Sequence, residues 1–268
     1  MRCQATGPGL DAPGYGRGMV AEEDPWSEVS EAWAASWGGM ARPVWDPLLR
    51  AAGVGPGVRV LDVGCGSGEL LAHLADVGAV AAGADPAAGM VRLARRAAPG
   101  ADVRRAAFED LPFPDDAVDV VVAVNALTLT SDPREALAEA VRVVVPGGAV
   151  AVAGWAERAR NDLDVVERAV ARAWDEELPE DGPLRVAGGL EALLADAGLD
   201  VVGSGVVPVP WQVHDDAALV AAVLLGEDEA TQERLAPVVT GAAEPFRTAA
   251  GGYRLVNAFR WAVARTRA

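Results

Sequence analysis

Three glycines at alternate positions, Gly64, Gly66 and Gly68, follow the acidic Asp62 and run into a helical pattern that starts at Glu69. Glycine lets a backbone turn tightly and approach a ligand closely, and a helix N-terminus presents free N–H groups to a negative oxygen. The segment therefore reads as a ligand loop, with Cys65 as a small residue within it. A dinucleotide loop of the form GxGxxG would need glycine at position 69, where this chain has Glu69. Asp85 falls about 20 residues past the first glycine, the spacing of a carboxylate that takes ribose hydroxyls. Two roles are open to Asp62: contact with the ligand, or bracing of the loop by accepting backbone N–H bonds.

These residues need elements to hold them. Short β-rich runs are expected at 58–63, 79–85, 101–104, 118–125 and 149–155, with amphipathic stretches at 69–77, 87–97 and 133–143 between them. Alternating β and α implies a parallel sheet with right-handed crossovers and helices on both faces. Upstream, Asp24-Pro25 signals a helix start, and a helix to about Trp37 places Trp26, Val29, Trp33, Trp37 and Met40 on one face. A second helix is expected at 44–52. Beyond Trp155 the expected order is a helix near 162–178, a proline-rich turn at 179–183, a helix at 190–197, a strand at 200–209, two helical stretches between His214 and Thr248, and a last strand at 253–264. Residues 1–21, with Gly and Pro at short intervals, read as a flexible leader in which Tyr15 could fold over a ligand.

Four segments together resemble the class I S-adenosylmethionine-dependent methyltransferases of the ubiquinone/menaquinone and natural-product group: VLDVGCGSG at 60–68, GADPAAGMVRLAR at 83–95, FEDLPFPDDAVDVVVAVNAL at 108–127 and EAVRVVVPGGAVAV at 139–152. The resemblance implies a Rossmann-like, doubly wound α/β sheet, mostly parallel with an antiparallel last strand, plus a helical cap or lid. It further implies one methyltransferase domain over 22–268, with cap helices at 22–52, a cofactor core at 58–155, a substrate-side lid at 156–250 and the last strand at 253–264.

By resemblance, Gly64, Cys65 and Gly66 would hold the methionine moiety of S-adenosylmethionine, with Asp62 nearby and Asn125 beside the same end. Asp85 would take the ribose hydroxyls, Pro86 and Met90 would pack near adenine, and Phe108 would meet adenine through its backbone N–H. S-adenosylhomocysteine would be the product. Two departures stand out. Family members often carry Asp where this chain has Ala107, so Glu109 or a water must take the adenine amino group. They also often carry His or an aromatic residue after the fourth strand, where this chain reads Asn125-Ala126-Leu127-Thr128. With no base there, His214 and Glu157 are the candidates. Trp33, Trp37, Trp155 and Trp211 are candidate substrate contacts, and Arg42 could pair the cofactor carboxylate.

Methyl transfer from a sulfonium can proceed mainly by proximity and orientation, so a base is optional. The expected activity is transfer of a methyl group to a small-molecule acceptor. Two alternatives stay open: a protein that binds the sulfonium but catalyses another reaction such as cyclisation, and a non-enzymatic binding protein.

The chain has 268 residues, with 23 basic and 39 acidic, a net charge of −16, and no lysine. That balance argues against a nucleic-acid partner, which needs clustered cations. No Cys/His cluster has metal-ligand spacing, so no metal is expected. With two cysteines, Cys3 and Cys65, and no span-length apolar run, a cytoplasmic protein without membrane contact is expected, and a homodimer is compatible with the sequence. Arginine-only basicity and abundant Ala, Val and Gly match GC-rich coding, as in organisms rich in secondary metabolism, and make a secondary metabolite the expected acceptor.

Overall fold

Aspartate and proline open the first helix as the sequence suggests. In the computed structural model, which describes residues 24–267, α1 spans Pro25–Trp37, and the Asp24 side chain accepts from the Ser27 N–H at 3.0 Å. The leader at 1–21, with Cys3 and Tyr15, lies outside the described residues. Helix α2 (Arg42–Ala52) starts two residues earlier than its apolar pattern, because Pro43 is tolerated in the first turn, where its missing N–H is not needed.

The sheet is built from β1 (Arg59–Val63), β2 (Val80–Asp85), β3 (Asp102–Arg105), β4 (Val118–Val124), β5 (Val144–Trp155), β6 (Asp200–Val213) and β7 (Tyr253–Arg265). Its order is β3-β2-β1-β4-β5-β7-β6, with β1 to β5 parallel and β7 antiparallel to both its neighbours. Central strands are apolar on both faces: Val120 and Val122 of β4 join one core, Val121 and Ala123 the other. Helices α3 (Glu69–Asp76), α4 (Ala88–Ala97) and α5 (Pro133–Val143) make the crossovers. Helices α6 (Leu163–Ala173), α7 (Gly189–Asp196), α8 (Asp216–Val223) and α9 (Glu229–Ala243) follow.

Three further boundaries differ from the sequence reading by four or five residues. Strand β5 begins at Val144, five residues early, because the Pro146-Gly147-Gly148 segment that reads as a turn is a bulge: Val144 pairs with Val118, and the register then jumps to Val120 and Ala149. Strand β6 runs to Val213 through Pro208 and Pro210, which an edge strand accommodates because its outer N–H groups need no partner. Helix α6 stops at Ala173, followed closely by Asp175 in the left-handed region at φ 58°.

The turn out of β1 has a steric requirement. Gly68 sits at φ +94°, and a Cβ there would lie 2.6 Å from Ala94 Cα, where α4 crosses the start of α3. Gly68→Ala combines a strained backbone with a backbone clash and is expected to cost about 3 kcal/mol. Thermal unfolding should show the midpoint falling by roughly 6–12 °C; an unchanged midpoint would mean that α4 shifts freely.

Candidate functional site

Strand order reverses between β1 and β4, and it is at such a switch point, beyond the carboxyl ends of the strands, that open α/β sheets bind ligands. A cavity of about 460 Å³ opens there, within the range of about 300–1,000 Å³ typical of small-molecule sites. All ten residues expected to hold the cofactor line it: Asp62, Gly64, Cys65, Gly66, Asp85, Pro86, Met90, Ala107, Phe108 and Asn125.

The loop is pinned by Asp85. One carboxylate oxygen accepts from the Gly66 N–H at 2.9 Å and the other from the Ala87 N–H at 2.9 Å, tying the turn after β1 to the start of α4. Burial pushes the Asp85 carboxyl up to about 6, against the pull of those two N–H groups. Gly64, at φ +71°, brings its backbone so close to Ala126 that a Cβ would lie 2.6 Å from the alanine methyl. Asp62 is 2% exposed. Burial first, then the charges of Asp85 and Glu69, push it up to about 8, and no hydrogen bond offsets them. It therefore does not brace the loop. The Cys65 thiol is pushed up by burial and is a packing residue.

Asn125 closes the opposite wall. It stands at φ 57°, uncommon for a residue with a side chain, and its backbone N–H donates to the Ala153 carbonyl at 2.8 Å. Its side-chain oxygen is buried and has no hydrogen-bond partner among the described residues. Such an atom calls for a donor from a ligand. Where the resemblance would place adenine, Ala107 is exposed, whereas Glu109 is half-buried on the cavity wall, with Oε1 accepting from the Ser131 N–H at 2.9 Å and the Ser131 hydroxyl at 2.8 Å.

The rest of the wall is largely aromatic. Of the face expected from the sequence, Trp26, Trp33, Trp37 and Met40 line the cavity and Val29 does not; Trp155 lines it as well. Trp211 does not. It stacks behind Trp37 at 4.2 Å between ring centroids, and donates to the Ser36 carbonyl while Trp37 donates to that of Ala222. It is a positioning residue, because β6 carries it to the core side of α1. His214 is also off the cavity, 82% exposed beside Asp215. Glu157 is off it too: Arg260 binds Oε1 at 2.6 Å, and despite burial the carboxyl stays below its ordinary range. Neither is placed to serve as a base. Arg42 is exposed and does not line the cavity; its guanidinium lies 6.0 Å from the centroid of the Trp45 ring. Among the described residues no cluster of three His, Cys, Asp or Glu could hold a metal ion, and no helix is long and apolar enough to cross a membrane.

Trp45, Phe259, Thr128, Thr130 and Ser131 line the cavity without a sequence signal that singled them out. Phe259 comes from β7, where antiparallel pairing sets it opposite Trp155, with ring centroids 4.9 Å apart. Only the strand register could have found it.

Residues 61–152 match the family model described as a methyltransferase domain. An uncharacterised protein of Mycobacterium tuberculosis is 38% identical over 117 residues, 42% of this chain and 43% of that one. A demethylmenaquinone methyltransferase of Renibacterium salmoninarum is 38% identical over 106 residues, 40% of this chain and 45% of that one. The chain thus spans less than half the length of these curated relatives. Among solved structures, a protein of Bacillus halodurans assigned as a methyltransferase superposes with a TM-score of 0.58 at 16% identity, over 83% of this chain and 98% of that one. The [4+2]-cyclase SpnF superposes with a TM-score of 0.55 at 22% identity, over 87% of this chain and 83% of that one. At such identities the superpositions speak to the fold. Residues 61–152 match a methyltransferase domain, and the chain shares the Rossmann-like fold of the solved structures on which it superposes.

Proposed function

We propose that the chain binds S-adenosylmethionine in the 460 Å³ cavity and transfers its methyl group to a small-molecule acceptor. The observation that carries this reading is the convergence on one cavity of the pinned glycine loop, the buried Asp85 carboxylate and the unpartnered Asn125 oxygen. The donor set fits the cofactor: Asp85 suits a ribose diol, Asn125 Oδ1 suits an ammonium N–H, and the apolar side of Met90 and Phe108 suits a purine. When bound, the cofactor supplies a methyl group already activated by the positive sulfur. The protein's own contribution is then to orient the acceptor and exclude water. Trp37, held by its hydrogen bond to Ala222 and its stack on Trp211, gives the cavity a rigid wall, and helices α1 and α2 serve as its cap.

Calorimetry of the full chain with S-adenosylmethionine should show saturable binding of one molecule per chain, and heat no larger than dilution would overturn the reading. A second reading rests on the cavity wall, which among the described residues carries no His, Lys or Arg: the sulfonium is bound but not consumed, and another reaction such as cyclisation takes place. Methyl-labelled cofactor separates the two, since label in the product supports transfer.

A further inference from the structure

The cavity wall has a one-sided charge. Four carboxyl groups line it, Asp62, Glu69, Asp85 and Glu109, and no cationic side chain among the described residues does, although the chain has 23 arginines. Arginine ends off the wall have other partners: Arg260 binds Glu157, Arg142 binds Glu139 and Asp115, Arg105 binds Asp24 and the Pro86 carbonyl, and Arg42 lies over the Trp45 ring. The remaining wall is largely aromatic, with Trp26 and Trp33 half-buried and Trp37, Trp155 and Phe259 buried. An anionic acceptor would enter this space against Glu69, Asp85 and Glu109, with no cationic side chain on the wall among the described residues to pair it. A phenol would need its proton removed, and the wall's carboxyl groups are engaged: Asp85 by the Gly66 and Ala87 N–H groups, Glu69 by the Ser67 hydroxyl and Glu109 by Ser131, while burial favours the protonated form of Asp62. An aliphatic amine would be held as its ammonium by the same carboxylates, with its lone pair blocked.

One acceptor chemistry meets all of these conditions. We propose that the acceptor is a flat, weakly basic nitrogen heteroaromatic, neutral in solution near pH 7, whose ring stacks between the cavity's tryptophans and whose nitrogen lone pair takes the methyl group. This rests on the methyltransferase reading above. The N–CH₃ bond forms as the S–CH₃ bond breaks, the bonding pair stays on sulfur, and the positive charge passes from sulfur to the ring nitrogen. No proton moves, so no base is needed. The charge never leaves the cavity, and the carboxylates and aromatic faces stabilise it as it develops on the acceptor, which is where such groups accelerate a reaction.

The test is a set of isosteres titrated into the full chain loaded with S-adenosylhomocysteine: 2-methylisoquinolinium as the cation, 2-methylnaphthalene as the neutral ring and 2-naphthoate as the anion. The expected order is cation, neutral, anion, with the cation at least tenfold tighter than the neutral ring. Equal binding of cation and neutral ring, or tighter binding of the anion, would overturn the assignment while leaving the cofactor reading intact. Failure of S-adenosylhomocysteine itself to bind would overturn both. A second readout uses methyl-labelled S-adenosylmethionine with isoquinoline and 2-naphthol together: label on isoquinoline supports the assignment, and label on 2-naphthol overturns it.

Discussion

Asp85→Ala is expected to weaken S-adenosylmethionine binding by at least 100-fold while leaving a folded protein. Two losses combine. The alanine strips the acceptors from the Gly66 and Ala87 N–H groups, each now 2.9 Å from a carboxylate oxygen, so the glycine loop loses its tie to the end of β2. It also removes the carboxylate proposed to hold the ribose diol. Hydrogen bonds to a charged group contribute about 1.5–3 kcal/mol each, so two lost to the ligand correspond to roughly 10²–10⁴ in affinity. The half-buried Gly66 N–H can turn to water in the cavity, and removal of a buried carboxyl offsets part of the cost of the stranded Ala87 N–H, so the melting point should fall by only a few degrees. Calorimetry on the variant would decide the matter: a dissociation constant within threefold of the parent would mean that the ribose contact lies elsewhere. Asp85→Asn keeps one acceptor and should fall between the two.

The residues behind that prediction were legible in the sequence because they are local. A glycine loop and the acid ending the next strand are each set by the strand-to-helix turn they occupy, so spacing places them at the same end of the sheet, and the family resemblance adds Asn125, just after β4. The tryptophan face of α1 was legible for the same reason, as a period of 3.6 is a property of one helix. What failed to be legible depends on pairing between distant segments. Phe259 reaches the cavity only because β7 runs antiparallel to β5 in a register that sets it opposite Trp155. Trp211 looked like its neighbours in composition, but the antiparallel β6 carries it behind Trp37 instead of into the cavity. Glu157 and His214 failed as bases for a related reason: the partners that decide their state, Arg260 and open solvent, come from tertiary packing. The bulge at the start of β5 shows the limit in another form, since Pro146-Gly147-Gly148 has the composition of a turn and only the pairing with β4 reveals a strand.

Asp62→Asn should separate the stability of the protein from its affinity for the cofactor, and the two should respond to pH in opposite senses. In the folded, ligand-free chain, burial and the charges of Asp85 and Glu69 push Asp62 up to about 8, whereas in the unfolded chain it titrates near 3.8. Between those values the unfolded state has released its proton and the folded state has not, so rising pH favours unfolding across that window. The contribution is fully present below about pH 4 and lost by about pH 8. The asparagine variant has no such proton, so it should match the parent at pH 4. At pH 8 it should be more stable by an amount of order 5 kcal/mol, or roughly 10–20 °C in melting point.

Cofactor binding runs the other way. A cation beside Asp62 favours its ionised form, so the parent should bind S-adenosylmethionine more tightly as pH rises from 6 to 8, and then level off. At pH 7 binding should expel roughly 0.9 proton from a group with a pKa near 8, which calorimetry in two buffers of different ionisation enthalpy reads directly. The asparagine variant should bind more weakly at pH 8, with an affinity that is flatter in pH and with little proton release. Zero proton release by the parent at pH 7 would mean that Asp62 is already ionised in the free protein, or that the cofactor's positive charge does not approach it. The destabilising burial of this carboxyl would then have no part in binding.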